Sequence, residues 1–237
     1  MKRYRVYLLL AVWIFIAQNS RAQHHYNAWF RATLSLPIHE KWKTDAEFQH
    51  RRQNGQGSND FFENNLMFTF RSWVHYQQTE DVKFSISPFA YFSHYKIIQN
   101  DSDLLATPNS EIRFTASAEL QHELAKKLFI IDRNALEYRI LENNSNDITR
   151  LRNKLGFRYD FSEKLKLTIY DELLLNINGA PVHHFFDHDR LCLNIEYKVL
   201  PHLKMDLGYL HITRLPISSN HKLHENNLML NITCQIR

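Results

Sequence analysis

The sequence predicts an all-β protein, an antiparallel up-and-down transmembrane β-barrel of about ten to twelve strands. Three observations support this fold class. Apolar and polar residues alternate over many segments, several segments exceed ten residues, and the connections between them alternate between short and long. Alternation with a period of two indicates strands with two different faces, and tilted membrane strands need about ten residues. Short turns on the periplasmic rim and longer loops outside are typical of outer-membrane barrels.

The alternation is clearest between residues 149 and 161. Leu151, Leu155 and Phe157 fall on one parity, whereas Arg152 and Lys154 fall on the other. A helix could not keep these sets apart, because residues two apart lie about 200° from each other around its axis.

Eleven segments follow this pattern. They are residues 27–36, 42–52, 61–76, 82–95, 111–122, 128–141, 148–161, 164–177, 186–199, 203–214 and 223–236. Bacterial barrels normally have even strand numbers. Either one strand has been missed or segment 27–36 does not join the wall, so the expected count is ten to twelve.

One segment departs from the pattern at its centre. Asp132 and Asn134 interrupt the apolar parity of Ile130 and Leu136. A β-bulge, which inserts one extra residue into a strand, could restore the alternation. We therefore consider a bulge near residue 132.

The apolar strand faces meet lipid around a polar lumen, or they fill the core of a soluble barrel. The opposite faces are strongly charged, and aromatic residues lie near strand ends, as in membrane girdles. Examples are Trp29, Trp42, Tyr76, Phe92 and Phe161. These features favour lipid and an outer-membrane location, and a soluble periplasmic ligand-binding barrel is the alternative.

The N-terminus has the layout of a cleavable secretory signal over residues 1–22. A basic start is followed by the 12-residue apolar run 6–17 and by a small residue, Ala22. A spanning helix needs about 20 residues. The remaining residues 23–237 form one barrel domain. Residues 1–22 carry four basic and no acidic side chains, so their removal lowers the formal net charge from +4 to 0 and weakens any argument for nucleic-acid binding.

Charged residues of the central strands form the main candidate site, because charges that point into a barrel must pair or meet water. The predicted lumen network contains nine residues. These are Arg113, Arg133, Glu137, Arg139, Arg152, Arg158, Glu172, Arg190 and Glu196. Such a network could stiffen or plug the lumen, or it could line a narrow passage that selects anions or sugar acids.

Two further sets of residues are candidates for chemistry. His183, His184, Asp187 and His188 are weak candidates for a metal site, since neighbouring strand residues point to opposite faces. Cys192 and Cys234 lie on strands that are not neighbours, and we expect both thiols to be free. The sequence therefore predicts no metal and no cofactor.

Short motifs in the central strands carry a family resemblance. They include Glu137-Tyr138-Arg139, Arg150-Leu151-Arg152 and Tyr170-Asp171-Glu172-Leu173. Over residues 27–236 the chain resembles an uncharacterised bacterial family of outer-membrane barrels, catalogued as domain of unknown function twenty-four ninety. The resemblance implies fold and location and supplies no activity.

A non-enzymatic barrel with a structural or narrow-channel role is therefore the expected function. Its expected partners are outer-membrane lipid and the export and barrel-assembly machinery, and its small-molecule or ion ligand is unknown. An outer-membrane lipid hydrolase is the alternative from another class. Its candidate pairs are Ser93 with His94 and His211 with Ser218.

Overall fold

The computed structural model describes residues 24–216 and 222–236. The proposed signal segment lies outside these residues. Eleven strands contain most of the described residues. They are β1 (His24–His39), β2 (Trp42–Gln53), β3 (Asn64–Gln77), β4 (Val82–His94), β5 (Asn109–Ala125), β6 (Leu128–Leu141), β7 (Ile148–Asp160), β8 (Leu165–Asn178), β9 (Phe186–Leu200), β10 (Leu203–Arg214) and β11 (Leu223–Gln235).

The strands form one closed barrel in sequence order, and β11 returns to pair with β1. Consecutive strands are antiparallel, whereas β1 and β11 run parallel, with Ala28 opposite Leu228 and Leu34 opposite Cys234. An odd number of alternating strands places the first and last in the same direction. Segment 27–36 therefore does join the wall, and no missed strand is needed to explain the odd count.

The two rims of the barrel differ. The turn rim carries connections of two to four residues, such as 40–41 and 126–127, whereas connections at the loop rim span six to fourteen residues. The three longest loop-rim connections are 54–63, 95–108 and 215–222. No helix within the described part of the chain is long and apolar enough to cross a membrane.

Strand alternation separates an apolar outer surface from a polar lumen. Phe48 and Leu155 face outward and are about half exposed, whereas the lumenal Glu137 and Leu174 are fully buried. Two aromatics expected in the outer girdles are exceptions, because Trp29 and Phe92 lie on the inward parity and are buried in the lumen. The prediction for these two was wrong, since parity, and not proximity to a strand end, decides which face a side chain takes.

The bulge considered near residue 132 is absent. Residues 128–139 of β6 pair continuously with β7, with Asp132 opposite Leu155 and Asn134 opposite Asn153. On the other side, the nearest register shift lies between Glu123 and Ala125 of β5. Asp132 and Asn134 therefore stay on the outward, otherwise apolar face.

The parallel seam between β1 and β11 has a buried polar clamp. Asn27 Nδ2 donates to Asn227 Oδ1 at 2.9 Å and to Glu225 Oε2 at 3.1 Å. Asn227 Nδ2 in turn donates to the Leu210 carbonyl at 2.9 Å. No hairpin connects these two strands, so side-chain bonds supplement the ladder where covalent connection is missing.

Removal of the clamp should destabilise closure. Asn27→Ala leaves Glu225 and Asn227 buried with lost partners, which costs about 1–3 kcal/mol. On a gel, the folded barrel should migrate faster than the boiled, unfolded chain. We expect this fast-migrating form to disappear at a lower heating temperature in Asn27→Ala than in the unmodified protein. Asn194→Ala is the control, because within the described residues its amide makes a single, long hydrogen bond of 3.5 Å to Asp206. Equal thermal shifts for both variants would contradict the clamp.

Candidate functional site in the barrel lumen

Glu137 on β6 is the centre of a buried ion-pair network. Its carboxylate contacts Arg113 of β5 at 3.4 Å and Arg150 and Arg152 of β7 at 2.5 and 2.7 Å. The Glu137 side chain is 0% exposed. A carboxylate withdrawn from water needs such partners, because desolvation of an unpaired charge costs several kcal/mol.

The network extends toward the loop rim through Glu111. Its Oε1 lies 2.7 Å from Arg113 Nε and 2.9 Å from Arg139 Nε, and its Oε2 lies 2.9 Å from His94 Nε2. Arg139 also donates from Nη2 to Oε2 at 3.0 Å, which makes this pair bidentate. The guanidinium of Arg113 therefore links Glu111 to Glu137.

Two further carboxylates complete the network on β8 and β9. Glu172 lies 2.6 Å from Arg152 and 3.1 Å from Arg190. Asp187 lies 2.5 Å from Arg150. Arginine serves this arrangement because its planar guanidinium offers five N–H donors and can bridge two carboxylates.

An apolar cluster occupies the part of the lumen near the seam. Its members come from β1 and from β9 to β11. They are Trp29, Cys192, Leu210, Ile212 and Met229. The seam side of the lumen thus holds packed apolar side chains together with the ion pair between Arg214 and the buried Glu225, whereas the opposite side is filled by the Glu137 network.

Four lumenal cations have no carboxylate partner among the described residues and lie against aromatic rings instead. Arg51 Cζ is 3.5 Å from the ring centroid of Trp29, and Arg71 and Arg133 lie 5.0 and 5.5 Å from that of Trp73. Lys154 Nζ is 4.9 Å from the Tyr170 ring. Cation–π attraction holds these groups, which carboxylates such as Glu47 and Glu119 attract only over longer distances.

Two loops fold over the lumen at the loop rim. The backbone N–H of Ile98 donates to Gln53 Oε1 at 3.2 Å, and Gln53 Nε2 donates to the Lys96 carbonyl at 2.9 Å. Asn176 Nδ2 donates to the His184 carbonyl at 3.0 Å. Ile98 and His184 are both buried as a result.

Asp103 holds the first of these loops together. Its carboxylate lies 2.5 Å from Lys96 Nζ and accepts the N–H groups of Gln99 and Asn100 at 2.9 and 3.0 Å. Burial opposes ionisation of Asp103, but Lys96 and the two N–H groups outweigh it and lower the pKa of the carboxyl below its ordinary value.

The nine predicted lumen residues divide into two groups. Arg113, Glu137, Arg139, Arg152, Glu172 and Arg190 belong to the connected network. The remaining three lie nearer the turn rim: Arg133 donates to Ser117 at 3.4 Å, Arg158 pairs with Asp160 at 2.8 Å, and Glu196 lies 3.7 Å from Lys204.

Sequence reasoning missed Glu111 and Arg150 as site residues. Both lie on the inward parity of their strands, which is the signal that identifies them. Asp187 was considered only as a metal ligand, yet it pairs with Arg150. His188 Nδ1 lies 3.2 Å from Asp187 Oδ1. Within the described residues, no group of three or more His, Cys, Asp or Glu side chains is placed to hold a metal ion.

The proposed hydrolase pairs are not brought together in the described residues. His94 contacts Glu111, and the neighbouring Ser93 takes the opposite face of β4. His211 Nδ1 contacts Asn226 Oδ1 at 3.0 Å, and Ser218 lies outside the described residues. Both free thiols agree with expectation, with Cys192 buried in the lumen.

One serine does contact a histidine. His75 Nδ1 lies 2.7 Å from Ser85 Oγ, and its Nε2 lies 3.1 Å from Asp45 Oδ2. Ser85 is only 5% exposed. It lies in a strand paired on both sides, so the nearby backbone N–H groups serve the ladders and not an oxyanion hole. We interpret this trio as a hydrogen-bonded chain across β2, β3 and β4.

A family model described as a protein of unknown function, DUF2490, matches residues 26–220. The chain belongs to the DUF2490 family. This confirms the resemblance found in the central motifs. No curated protein matches the sequence.

Solved porin structures resemble the DUF2490 barrel only distantly. A NanC porin structure gives a TM-score of 0.44 at 11% identity, with 85% of this chain and 94% of that chain covered. The anion-selective porin from Comamonas acidovorans gives a TM-score of 0.37 at 8% identity, with 81% of this chain and 53% of that chain covered. The outer membrane channel DcaP of Acinetobacter baumannii gives a TM-score of 0.37 at 7% identity, with 80% of this chain and 79% of that chain covered.

The central position of Glu137 predicts a large stability effect. Glu137→Gln leaves three buried arginines short of a carboxylate, a loss that costs about 3–5 kcal/mol at such sites. We expect a clear drop in the temperature at which the folded gel form disappears. Glu196→Gln is the matched control, since Glu196 lies near the turn rim and makes only long contacts, at 3.9 and 3.7 Å, with Lys166 and Lys204. A drop of similar size in the control would contradict the assigned role of Glu137.

The lowered pKa of Asp103 predicts acid loosening of loop 95–108. A depressed carboxyl pKa adds stability above the ordinary value of 3.8, and this stability is lost as pH falls through the lower folded value. Hydrogen-exchange protection of the loop should therefore be high at pH 7 and fall in acid below about pH 3.8. Asp103→Asn should reduce protection already at pH 7 and remove the acid response. If the loop of Asp103→Asn still lost hydrogen-exchange protection in acid, a different titrating group would be responsible for that loss.

Proposed function

We propose that this DUF2490 protein is a non-enzymatic outer-membrane barrel that spans the lipid with its eleven strands and keeps the loop half of its lumen closed. The exposed apolar outer surface and the charged interior support this placement, because a soluble barrel would show the reverse. Outer-membrane lipid and the export and barrel-assembly machinery are the corresponding partners.

Burial of the lumen network is the observation that carries the proposed closed state. Glu111, Glu137 and Arg150 have side chains no more than 4% exposed, although they lie inside a barrel. Together with Leu174 and Ile212, which are fully buried, they leave little room for water at this level. A structural role follows, in which the network stiffens the wall and blocks free diffusion.

An anion-binding or anion-conducting role is the second candidate. Arg51, Arg71, Arg133 and Lys154 have no carboxylate within ion-pair distance in the described chain, so their positive charge is only partly offset in the lumen. The turn half is more open, since the Lys83 and Lys204 side chains are 33% and 44% exposed. An anion that enters from the turn rim would meet cations before it meets the closed section.

Membrane placement is tested by fractionation and by gel mobility with and without boiling. Recovery in the outer membrane with a heat-dependent mobility shift supports the barrel. Recovery as a soluble periplasmic protein would overturn it and favour a ligand-binding barrel. Esterase activity lost in Ser85→Ala would favour the lipid hydrolase.

The closed lumen predicts low conductance in planar bilayers. The double variant Glu137→Gln with Arg150→Gln removes one charge of each sign from the closed section and should admit water. We expect single-channel conductance to rise several-fold, with a reversal potential that favours anions. The control pair is Glu196→Gln with Lys204→Gln, which should leave conductance unchanged. A large conductance in the unmodified protein would contradict closure by the network.

A further inference from the structure

Three hydrogen-bonded polar side chains lie in the middle of the outward face. Asn153 Nδ2 donates to Asp132 Oδ1 at 3.1 Å and to Asn134 Oδ1 at 2.8 Å. Asn134 Nδ2 lies 3.2 Å from both carboxylate oxygens of Asp132. We call Asp132, Asn134 and Asn153 the outer polar cluster. Asn134 and Asn153 are near the midpoints of β6 and β7, at the depth where lipid is least tolerant of polar groups.

A shallow apolar groove borders this cluster. Its volume is about 400 Å³, and Asn134 is among the side chains that line it. The outward alanines Ala116 and Ala118 form its floor, between the larger Phe84, Ile86 and Leu136. Small residues on a membrane surface allow another protein chain to approach closely.

The outer surface is hollow on one side of the cluster and raised on the other. Ala118 of β5 pairs directly with Asn134, whereas Leu155 of β7 pairs directly with Asp132. A hollow therefore lies on one side of the cluster and a projecting leucine, about half exposed, lies on the other. A two-fold axis along the membrane normal would place the hollow of one copy against the leucine of the other.

The amides of Asn134 and Asn153 are also self-complementary. A carboxamide carries both donors and an acceptor, and Asn153 Oδ1 accepts no hydrogen bond from the described residues. Two copies of the cluster can therefore exchange amide hydrogen bonds across the same axis. Lipid could supply none, and a buried polar group without partners is costly.

We propose that the outer polar cluster and its groove form the interface of a two-fold symmetric dimer of this chain in the membrane. The interface lies on β5, β6 and β7, with Ala118 of each copy opposite Leu155 of the other. The inference rests on the proposed membrane placement, because only lipid makes the outward polar cluster unfavourable in a monomer.

Cysteine cross-linking in outer-membrane preparations tests this arrangement. The background is Cys234→Ser, which leaves only the buried Cys192. Ala118→Cys with Leu155→Cys in one chain should give a covalent dimer on mild oxidation. The two positions cannot bridge within one copy, since they lie about 9–10 Å apart across the sheet and are also offset by two residues along it, whereas a disulfide needs Cα atoms within about 7 Å.

A matched control is available on the opposite face, where a second apolar groove is lined by Ala46 and Ile232. Ala46→Cys with Ile232→Cys should give little dimer. Equal yields for the two pairs, or no dimer from the first, would overturn the proposed interface.

The role of the amides is tested separately. Asn134→Leu with Asn153→Leu, added to the cross-linking variant, should lower the dimer yield several-fold while the barrel stays folded. An unchanged yield would overturn the hydrogen-bonded interface. Fractionation and the heat-dependent mobility shift of the same samples separate the two possible failures. A soluble protein would refute the membrane placement, whereas a folded membrane barrel that stays monomeric would refute only the dimer.

Discussion

Compensation of buried charge inside the barrel is the constraint on which the rest of the structure depends. Glu137 sits fully buried on β6 and is reached by Arg113 from one neighbouring strand and by Arg150 and Arg152 from the other. Each arginine is shared with a second carboxylate, so β5 to β9 are joined across their inner faces as well as through their ladders. The barrel therefore gains side-chain connections in the part of the wall farthest from its seam.

The lining of the lumen changes both across the barrel and along its axis. Across the barrel, the Glu137 network faces an apolar cluster around Trp29 and Ile212, and beside this cluster the buried Glu225 is paired with Arg214 at 2.7 Å. Along the barrel, the loop half is closed by the network and by two inward-folded loops, while lysines near the turn rim remain accessible to water.

Much of the fold could be predicted from the sequence because strand alternation is a local signal. The bounds of β6 and β10 agree with the segments 128–141 and 203–214. The register of the closing β1–β11 pair could not be predicted, since no local pattern records how residues 200 apart in sequence pair. The ion pairs of the lumen could not be predicted from the sequence either. Parity places Arg152 and Glu172 inside, but contact between them depends on the inter-strand register, which one sequence does not specify. Asp132 and Asn134 are a real departure from the apolar alternation of β6, because their polar side chains lie on the outer surface.

The parallel seam has a consequence for the order in which the chain folds. Ten of the eleven strand interfaces join neighbours along the chain, and each can form by closure of a short connection. The remaining interface joins residues about 200 positions apart, which carries the largest loss of chain entropy of any pairing in the molecule. Until it forms, the protein is an open sheet with two unpaired edges, the state most prone to aggregate. The Asn27 clamp thus lies at the last interface to form, and it stabilises the closed barrel without helping the earlier strands to assemble.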